Sequence, residues 1–339
     1  MVAYTQPRRT DIPLVDIGPS FSGAARDRMA VARQIRAACI DVGFFYVRGH
    51  QVPRRLVDGV FDAAHEFFAR PLNEKMLCDA RNSSALRGFE SPGTQTLDPD
   101  SPPDIKESFR IGIDRGPDHP LVRASTPRHG PNNWPPHSDE FRQRVEGYFD
   151  AMLGLGRHLM GLIALSLDMS DEFFEQFYRD PNANLRLLHY PPHPAEALNN
   201  QLGCGAHTDW GAITMLAQDD CGGLEVQTAG GDWVVAEPID DAFVVNLGDL
   251  LARWTNDLYR STSHRVLNNR SGRDRYSMAL FYDPDFHARI ECLPGCRSAK
   301  TPPRYPPCTA GEHNYQMYCR TRGMAYAPTA PPAEAPTAV

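Results

Sequence analysis

From about residue 184 onward the chain consists of short apolar runs, each closed by Gly, Asp, Asn or Pro. Runs of this kind, rich in β-branched and aromatic residues, are typical of strands. No helical pattern alternates with them, so the βαβ repeat that a parallel sheet requires is missing. The pattern therefore predicts an antiparallel sandwich or barrel. The runs are LRLLHY, AITMLA, GLEVQT, DWVVAE, AFVVNL, HRVLN and YSMALFY.

The N-terminal part of the sequence has a mixed pattern. The runs IPLVDI (12–17) and GFFYVRG (43–49) predict two strands, and the stretch between them repeats apolar residues at helical spacing. A second helix is expected over residues 54–69. The stretch from about 79 to 136 is rich in Pro and Gly, and we expect it to be irregular, with one short strand at 108–113.

The clearest helical pattern begins near Ser138, whose hydroxyl is expected to cap the first turn. From Phe141 to Ile163 large apolar residues recur mostly every three or four positions, which indicates a long helix packed along the outside of a sheet. A last helix is expected around 311–322. The tail 327–339 is rich in Pro and Ala and holds almost no large apolar side chain, so it is expected to be disordered.

Composition and charge exclude several classes of partner. Lys and Arg number 35 against 42 Asp and Glu, which gives a formal net charge of −7, and no basic stripe could neutralise several phosphates. No run approaches the roughly 20 apolar residues that cross a bilayer, and the polar start lacks the centre of a secretory signal. We expect a cytoplasmic protein that binds neither nucleic acid nor membrane. Its eight cysteines are then expected to be thiols, and the pair Cys292 and Cys296 lacks the second pair of a zinc site.

The segment GAHTDW places His207 and Asp209 two residues apart. In an extended chain such residues face the same side, so an imidazole and a carboxylate converge. His264, in STSHRVLN, is the best candidate for a third ligand. Two His and one carboxylate leave three positions open on a metal, as in non-haem Fe(II) oxygenases. The alternative is that His207 and Asp209 form a surface pair and that His264 is an ordinary core histidine.

The segment RDRYSMALFYDP repeats this spacing with Arg275 and Ser277. A guanidinium offers a carboxylate two parallel hydrogen bonds, and a neighbouring hydroxyl can add a third. If Arg275 faces inward, the burial of its charge is costly unless an anion meets it. Phe281 is expected on the same strand face. The sequence therefore predicts an anion site on this strand.

The motifs HTDWG, SHRVLN and RYS, at these spacings, resemble those of the 2-oxoglutarate and Fe(II)-dependent dioxygenases of the isopenicillin N synthase-like group. IPLVDI, ACIDVGFFYVRGH, NLGDLLARWTND and YPPCTAGEH resemble further segments of that group, so the similarity covers roughly residues 10–322. The resemblance implies a mainly β chain with flanking helices around a double-stranded β-helix (jelly-roll, cupin-like) core. The expected parts are an N-terminal α/β region with substrate loops (1–136), the jelly-roll oxygenase core with its bracing and C-terminal helices (137–326), and the disordered tail (327–339).

Carried over by residue, the resemblance implies that His207, Asp209 and His264 form the catalytic Fe(II) centre. It also implies that Arg275 and Ser277 hold the distal carboxylate of 2-oxoglutarate.

Two further positions of the cosubstrate site can be compared with the group. Tyr190 matches a Tyr that commonly assists the anion, whereas Leu188 stands where the group often has Asn. Without that amide, Arg275 would make more of the polar contacts to the cosubstrate. A second possibility therefore stays open, an Fe(II) oxidase of the isopenicillin N synthase type that needs no 2-oxoglutarate.

The implied enzyme is an oxidoreductase that uses O₂ to oxidise a small-molecule metabolite, as in secondary metabolism, with release of succinate and CO₂. Hydroxylation, desaturation and ring closure all remain open, as does a non-catalytic binding protein on the same scaffold. The sequence does not indicate the oligomeric state. The candidates for substrate contacts are Arg87, Phe89, Phe109 and Phe281.

Two further features have simpler interpretations. Cys204 lies three residues before His207, so the odd spacing predicts the opposite strand face and a buried thiol. The pairs Gly222–Gly223 and Gly230–Gly231 are expected to be hairpin turns, because neither precedes a helix as a phosphate loop does.

Overall fold

One large sheet organises the protein in the computed structural model, which describes residues 12–94, 102, 104–192 and 202–321. The tail that the sequence predicts to be disordered lies outside these residues. Only the first two strands of the sheet run parallel, and every other neighbouring pair is antiparallel. In spatial order the strands of this major sheet are β1 (Leu14–Asp16), β2 (Phe44–Arg48), β10 (Phe243–Leu247), β7 (Ile213–Gln218), β12 (Arg275–Asp285), β5 (Pro181–Tyr190), β4 (Glu107–Gly112) and β3 (Gly88–Glu90).

A smaller antiparallel sheet faces the major one and completes a jelly-roll core. Each of the seven runs predicted to be strands contains one, so the prediction of an antiparallel β fold is confirmed. Gly230–Gly231 lies in the hairpin turn between β8 and β9, as expected. Gly222–Gly223 is not a hairpin turn, because it connects β7 of the major sheet to β8 of the minor sheet and these strands do not pair. The strands of this minor sheet are β6 (Cys204–His207), β11 (His264–Val266), β8 (Leu224–Gln227) and β9 (Trp233–Val235), and a separate pair comprises β13 (Arg289–Ile290) and β14 (Cys308–Thr309).

Helices cover the outer face of the major sheet. The first and the second each pack against the fifth, and the fifth also contacts β7 and β12, which confirms the expected brace. No described helix is both long enough and apolar enough to pass through a bilayer. The helices are α1 (Ala25–Asp41), α2 (Arg54–Phe68), α3 (Leu72–Lys75), α4 (Pro120–Arg123), α5 (Asp139–Ser166), α6 (Asp249–Trp254) and α7 (Ala310–Thr321).

Two further local expectations were wrong. The hydroxyl of Ser138 does not cap α5, because it donates to the carbonyl of Pro135 at 2.6 Å and is no longer available to the first turn. The stretch 79–136 contains β3 in addition to the predicted strand. Because β3 pairs with β4 over only three residues, its sequence is too short to show strand periodicity.

The major sheet separates two apolar clusters, because successive side chains of a strand face opposite sides. The larger cluster lies between the outer face of the sheet and α1, α2 and α5. The smaller one lies between the two sheets and includes Phe44, Tyr46 and Val226. The inner face of the major sheet also carries charged side chains, so the space between the sheets is only partly apolar.

The packing of α5 on the sheet can be tested at Gly156, where an added Cβ would lie 2.9 Å from ring atoms of Tyr282 and 3.1 Å from Met215 Cε. We expect Gly156→Ala to lower the free energy of unfolding by about 1–3 kcal/mol, because overpacking outweighs the gain in helix propensity. Gly154→Ala is the matched control, since none of the described residues would lie within 4 Å of its Cβ, and it should raise stability by roughly 1 kcal/mol. Urea unfolding measures both, and equal effects would contradict this account.

Candidate active site

The minor sheet brings together two histidines and one aspartate. His207 ends β6, His264 begins β11, and the strand register pairs these two residues directly. Asp209 follows β6, and its Oδ1 lies 3.9 Å from the Nε2 atom of each histidine. One ligand atom from each residue lies within 4.8 Å of the others. The three residues that the sequence predicts as metal ligands therefore lie close together.

Both imidazoles turn the same ring atom toward Asp209. Nδ1 of His207 lies 2.7 Å from the carbonyl oxygen of Gly205, and Nδ1 of His264 lies 3.2 Å from that of Thr262. Because a carbonyl only accepts, Nδ1 carries the hydrogen and Nε2 keeps its lone pair. Burial lowers the pKa of His207 and lowers that of His264 to about 4, so both rings are neutral near pH 7. A metal ion requires ligands in this state.

The second oxygen of the Asp209 carboxylate is held by two donors. Thr214 Oγ1 on β7 and Asn246 Nδ2 on β10 each donate to Oδ2 at 2.6 Å. Burial opposes ionisation, but the two histidines and these hydrogen bonds keep the pKa of Asp209 below its usual value. Neither donor was predicted from the sequence. The available signal was the Asn inside the apolar run AFVVNL, since a polar side chain in a buried strand needs a partner.

The loop after β6 is fixed against the start of α6. The backbone N–H of Asp249 donates to the carbonyl of Asp209 at 2.8 Å, and Thr208 Oγ1 donates to the Asp249 carboxylate at 3.1 Å. Position 248 must be Gly, because a Cβ there would lie 2.3 Å from the carbonyl oxygen of Gly211. These contacts keep the Asp209 carboxylate aimed at the histidines.

Arg275 lies on the inner face of β12 and is 1% exposed. Its Nε donates to the carbonyl of Gly222 in the turn before β8, and its Nη1 lies 3.4 Å from Ser277 Oγ. Its Nη2 is buried without a hydrogen-bond partner among the described residues. A buried charged nitrogen without a partner is costly, so this site fits an anion that accepts from Nη2 and from the Ser277 hydroxyl.

Tyr190, on β5, is the register partner of Arg275, and its ring lies 4.7 Å from the guanidinium carbon. Burial raises the pKa of this phenol, so it stays protonated and can donate a hydrogen bond. Leu188, which replaces the Asn common in the resembling group, is buried in the cluster between the sheets. It gives the anion site an apolar wall in place of an amide.

The four candidate substrate residues are not brought together. Phe281 is half-buried on the inner face, where its register partner on β7 is Thr214. Phe89 and Phe109 point to the outer face and pack against Phe67 of α2 at ring distances of 6.0 and 5.0 Å. They belong to the core, which corrects their assignment to the substrate cavity.

Arg87 supports neighbouring backbone. Its guanidinium covers Gly112, where a Cβ would lie 2.1 Å from Cζ, and its Nη2 lies 3.4 Å from the carbonyl oxygen of Arg128. Its own Nε is buried with no partner in the described part of the chain. Burial lowers the pKa of Arg87 well below its usual range.

Cys204 is a buried thiol, as expected, but it does not face away from His207. Its Sγ lies 4.0 Å from His207 Nδ1 and 3.2 Å from Lys106 Nζ. The reason is a bulge, since the register between β6 and β11 shifts between the pairs His264–His207 and Val266–Cys204. The extra residue of β6 cancels the alternation on which the expectation rested.

A charged cluster that was not predicted from the sequence lies on the same inner face. Glu90 Oε2 accepts hydrogen bonds from Ser108 Oγ at 3.0 Å and from Arg110 Nη2 at 3.3 Å, and it also accepts from Arg186. Arg186 Nε donates to Ser108 Oγ at 3.0 Å as well. These residues come from β3, β4 and β5, so no local pattern in the sequence joins them.

Comparison with known proteins identifies the class that this fold and site define. The family model described as "non-haem dioxygenase in morphine synthesis N-terminal" matches residues 12–137, and that of the 2OG-Fe(II) oxygenase superfamily matches residues 181–284. The chain belongs to this family of 2-oxoglutarate and Fe(II)-dependent oxygenases. It is an oxidoreductase that uses Fe(II), 2-oxoglutarate and O₂.

Its similarity to individual proteins extends over nearly the whole chain. It is 39% identical to the 2-oxoglutarate-Fe(II) type oxidoreductase hxnY of Emericella nidulans over 322 residues, which cover 93% of this chain and 91% of the relative. It is 41% identical to the 2-oxoglutarate-dependent dioxygenase citB of Monascus ruber, covering 83% and 87%. A full-length protein of Neurospora crassa, solved in complex with alpha-KG, superposes with a TM-score of 0.82 at 32% identity, covering 91% and 96%. That Neurospora protein has also been solved with alpha-KG and thymine.

The support of Asp209 can be tested at Thr214. We expect Thr214→Val to weaken Fe(II) binding by about 10- to 100-fold, the usual effect of removing a group that orients a metal ligand. Thr214→Ser keeps the hydroxyl and is the matched control, so its affinity should stay near that of the unaltered protein. Competition for Fe(II) against a chelating dye under anaerobic conditions measures this. Equal affinities in the Val and Ser variants would contradict a positioning role for this hydrogen bond.

Proposed function

We propose that this chain binds one Fe(II) through His207, Asp209 and His264 and binds 2-oxoglutarate through Arg275, assisted by Ser277 and Tyr190. The observation that carries the proposal is the convergence of three ligand atoms within 4.8 Å, with a guanidinium nitrogen of Arg275, partnerless among the described residues, buried on the facing sheet. The donor set of two neutral imidazoles and one carboxylate suits Fe(II) and leaves three coordination positions for other ligands.

The protein's own side chains bind and orient the metal and the cosubstrate. The Nδ1 hydrogen bonds fix both imidazoles, and Thr214 and Asn246 fix the carboxylate, so that the metal is bound without rearrangement. Arg275 is held by the carbonyl of Gly222 and presents its remaining nitrogens to the distal carboxylate of the cosubstrate. The bound metal and cosubstrate supply the oxidising chemistry, which converts 2-oxoglutarate and O₂ to succinate and CO₂ while the substrate is oxidised.

We propose a small-molecule metabolite as the substrate, held beside Phe281. This half-buried ring shares the inner face with Arg275 and Ser277 and is the register partner of Thr214, whose hydroxyl binds Asp209. A place beside the metal ligands suits a substrate that is oxidised without binding the metal itself. We also propose that the protein works in the cytoplasm, a view that the eight free thiols support.

The metal assignment is tested by Asp209→Ala. We expect this variant to lose Fe(II) and all 2-oxoglutarate turnover, because the two histidines alone lack the anionic ligand. Metal content after gel filtration and O₂ uptake with succinate release are the measurements, and circular dichroism checks the fold. A folded variant that retains one Fe(II) per chain would exclude the assignment.

The cosubstrate assignment is tested by Arg275→Lys. A point charge cannot replace the bidentate guanidinium, so we expect 2-oxoglutarate affinity to fall by about 1.5–3 kcal/mol, the typical strength of a hydrogen bond to a charged group. Arg273→Lys is the matched control, because Arg273 lies two residues away but is exposed. Calorimetric titration with 2-oxoglutarate measures both. Unchanged affinity in the Arg275 variant would contradict the assignment.

A further inference from the structure

We propose that Arg87 and Asn184 bind the carboxylate of the primary substrate while Phe281 packs on its apolar part, so that the substrate is a compact monocarboxylate. The inference rests on the proposed function, which places the substrate beside Phe281. Two observations carry it: the position of these side chains along one row of the major sheet, and the lack of a counter-ion for Arg87 among the described residues.

The strand register defines this row on the inner face of the major sheet. Phe281 on β12 is the register partner of Thr214, whose hydroxyl binds Asp209. On its other side Phe281 pairs with Asn184 on β5, and Asn184 pairs with Gly112 on β4. Directly paired residues share a face, so the whole row faces the space between the sheets. It begins beside the metal ligands and ends at Gly112, roughly 14 Å away across three strand spacings.

The guanidinium of Arg87 covers the far end of the row. A Cβ at Gly112 would lie 2.1 Å from each of Cζ, Nη1 and Nη2 of Arg87, so the guanidinium fills the space that a side chain would take there. That Cβ would point to the inner face, so Arg87 reaches the row although its own backbone precedes β3. Asn184 is the next member of the row, one strand spacing of roughly 5 Å further.

Arg87 is a buried cation without a carboxylate partner in the described part of the chain. Five described arginines are buried, and three of them form ion pairs. The two without such a pair are Arg275, which is assigned to the cosubstrate carboxylate, and Arg87, which is 2% exposed. The guanidinium of Arg87 makes one hydrogen bond to a described residue, a long one of 3.4 Å from Nη2 to the carbonyl oxygen of Arg128. Because an unpaired buried charge is costly, Arg87 fits an anion that a ligand supplies.

Asn184 and Phe281 define the rest of the ligand. The side chain of Asn184 is half-buried and makes no hydrogen bond to the residues that the structure describes, so its amide can donate to a bound molecule. A carboxylate suits this end of the row because a guanidinium binds it through paired hydrogen bonds, and one negative charge matches one unpaired cation. The half-buried ring of Phe281 lies between this end and the metal ligands and suits an aromatic or apolar remainder.

The experiment uses matched acids and amides as probes. The full chain is loaded with Zn(II), which has no redox chemistry, and saturated with 2-oxoglutarate so that the probes do not occupy that site. Phenylacetate, 3-phenylpropanoate and cinnamate are titrated by calorimetry beside their amides. We expect at least one acid to bind about tenfold more tightly than its amide, the effect of one hydrogen bond to a charged group. If no acid is preferred, the proposal is wrong.

Arg87→Gln assigns the preference to this residue. We expect it to weaken the preferred acid by about tenfold while the affinity for the amide stays unchanged, whereas Arg87→Lys, which keeps the charge, should retain a preference for the acid. Arg123→Gln is the matched control, because Arg123 is an exposed residue of α4. Thermal melting checks that each variant is folded. A folded Arg87→Gln variant that binds the acid as tightly as the unaltered protein overturns the proposal.

Gly112→Ala displaces the guanidinium without removing it. The added Cβ forces the flexible end of Arg87 to move, so we expect the preferred acid again to bind about tenfold more weakly and the amide to bind as before. Gly116→Ala is the matched control, because no described atom would lie within 4 Å of its Cβ. Equal acid affinities in these two variants would contradict the placement of Arg87 in the site.

Asn184→Asp tests the middle of the row. The new carboxylate has nearly the same shape as the amide, lies next to the guanidinium and repels a second anion, so the preference for the acid should disappear. Undiminished binding of the acid in this variant would show that the acid is bound elsewhere, which contradicts the proposal.

Titration of 2-oxoglutarate separates this proposal from the cosubstrate assignment. Arg275 stands at the opposite end of β12 from Phe281, roughly 20 Å along the strand, so Arg87→Gln should bind 2-oxoglutarate with unchanged affinity. If Arg87→Gln loses 2-oxoglutarate as well as the acid, Arg87 serves the cosubstrate and the substrate subsite is wrong. If the unaltered protein does not bind 2-oxoglutarate but keeps an acid preference that depends on Arg87, the cosubstrate assignment fails and the subsite is supported.

Discussion

The carboxylate of Asp209 connects the two sheets through hydrogen bonds. It follows β6 of the minor sheet, and its Oδ2 accepts from Thr214 and Asn246 on two neighbouring strands of the major sheet. One oxygen of the group therefore contacts the major sheet, and the other faces His207 and His264. The same side chain thus contacts both sheets and the two histidines, so a buried anion has a role here that an apolar residue could not fill.

Much of the fold and of the candidate metal and cosubstrate site could be predicted, because those residues follow the two-residue alternation of strands. His207 and Asp209 in one run, and Arg275, Ser277 and Phe281 in another, show their common face in the sequence itself. His264 was already the best candidate for the third ligand, and the resemblance to a known family then supplied the identity of the anion. The strand boundaries were predictable for a related reason, since Gly, Asp, Asn and Pro close nearly every run.

The features that could not be predicted depend on contacts between residues that are distant in the sequence. Both faces of β4 are buried, so burial alone could not tell which of Phe109 and Arg110 faces the active site. The bulge in β6 shifts Cys204 toward His207, and only the pairing with β11 reveals it. The contacts of Glu90 come from strands that are distant in sequence. The Ser138 hydroxyl had two acceptable partners, and the path of the preceding turn decided for the carbonyl of Pro135.

On β3 and β4 neighbouring residues serve different purposes, since Phe89 and Phe109 pack beneath the helices while Glu90 and Arg110 face the space between the sheets. The two sets interleave along the chain and face opposite sides of the sheet. Point substitutions at alternate positions can therefore change the face between the sheets while the core stays unchanged. A single inserted residue would exchange the two sets at once. Within these strands, replacements should consequently be tolerated more readily than insertions, which the loops between them can accept.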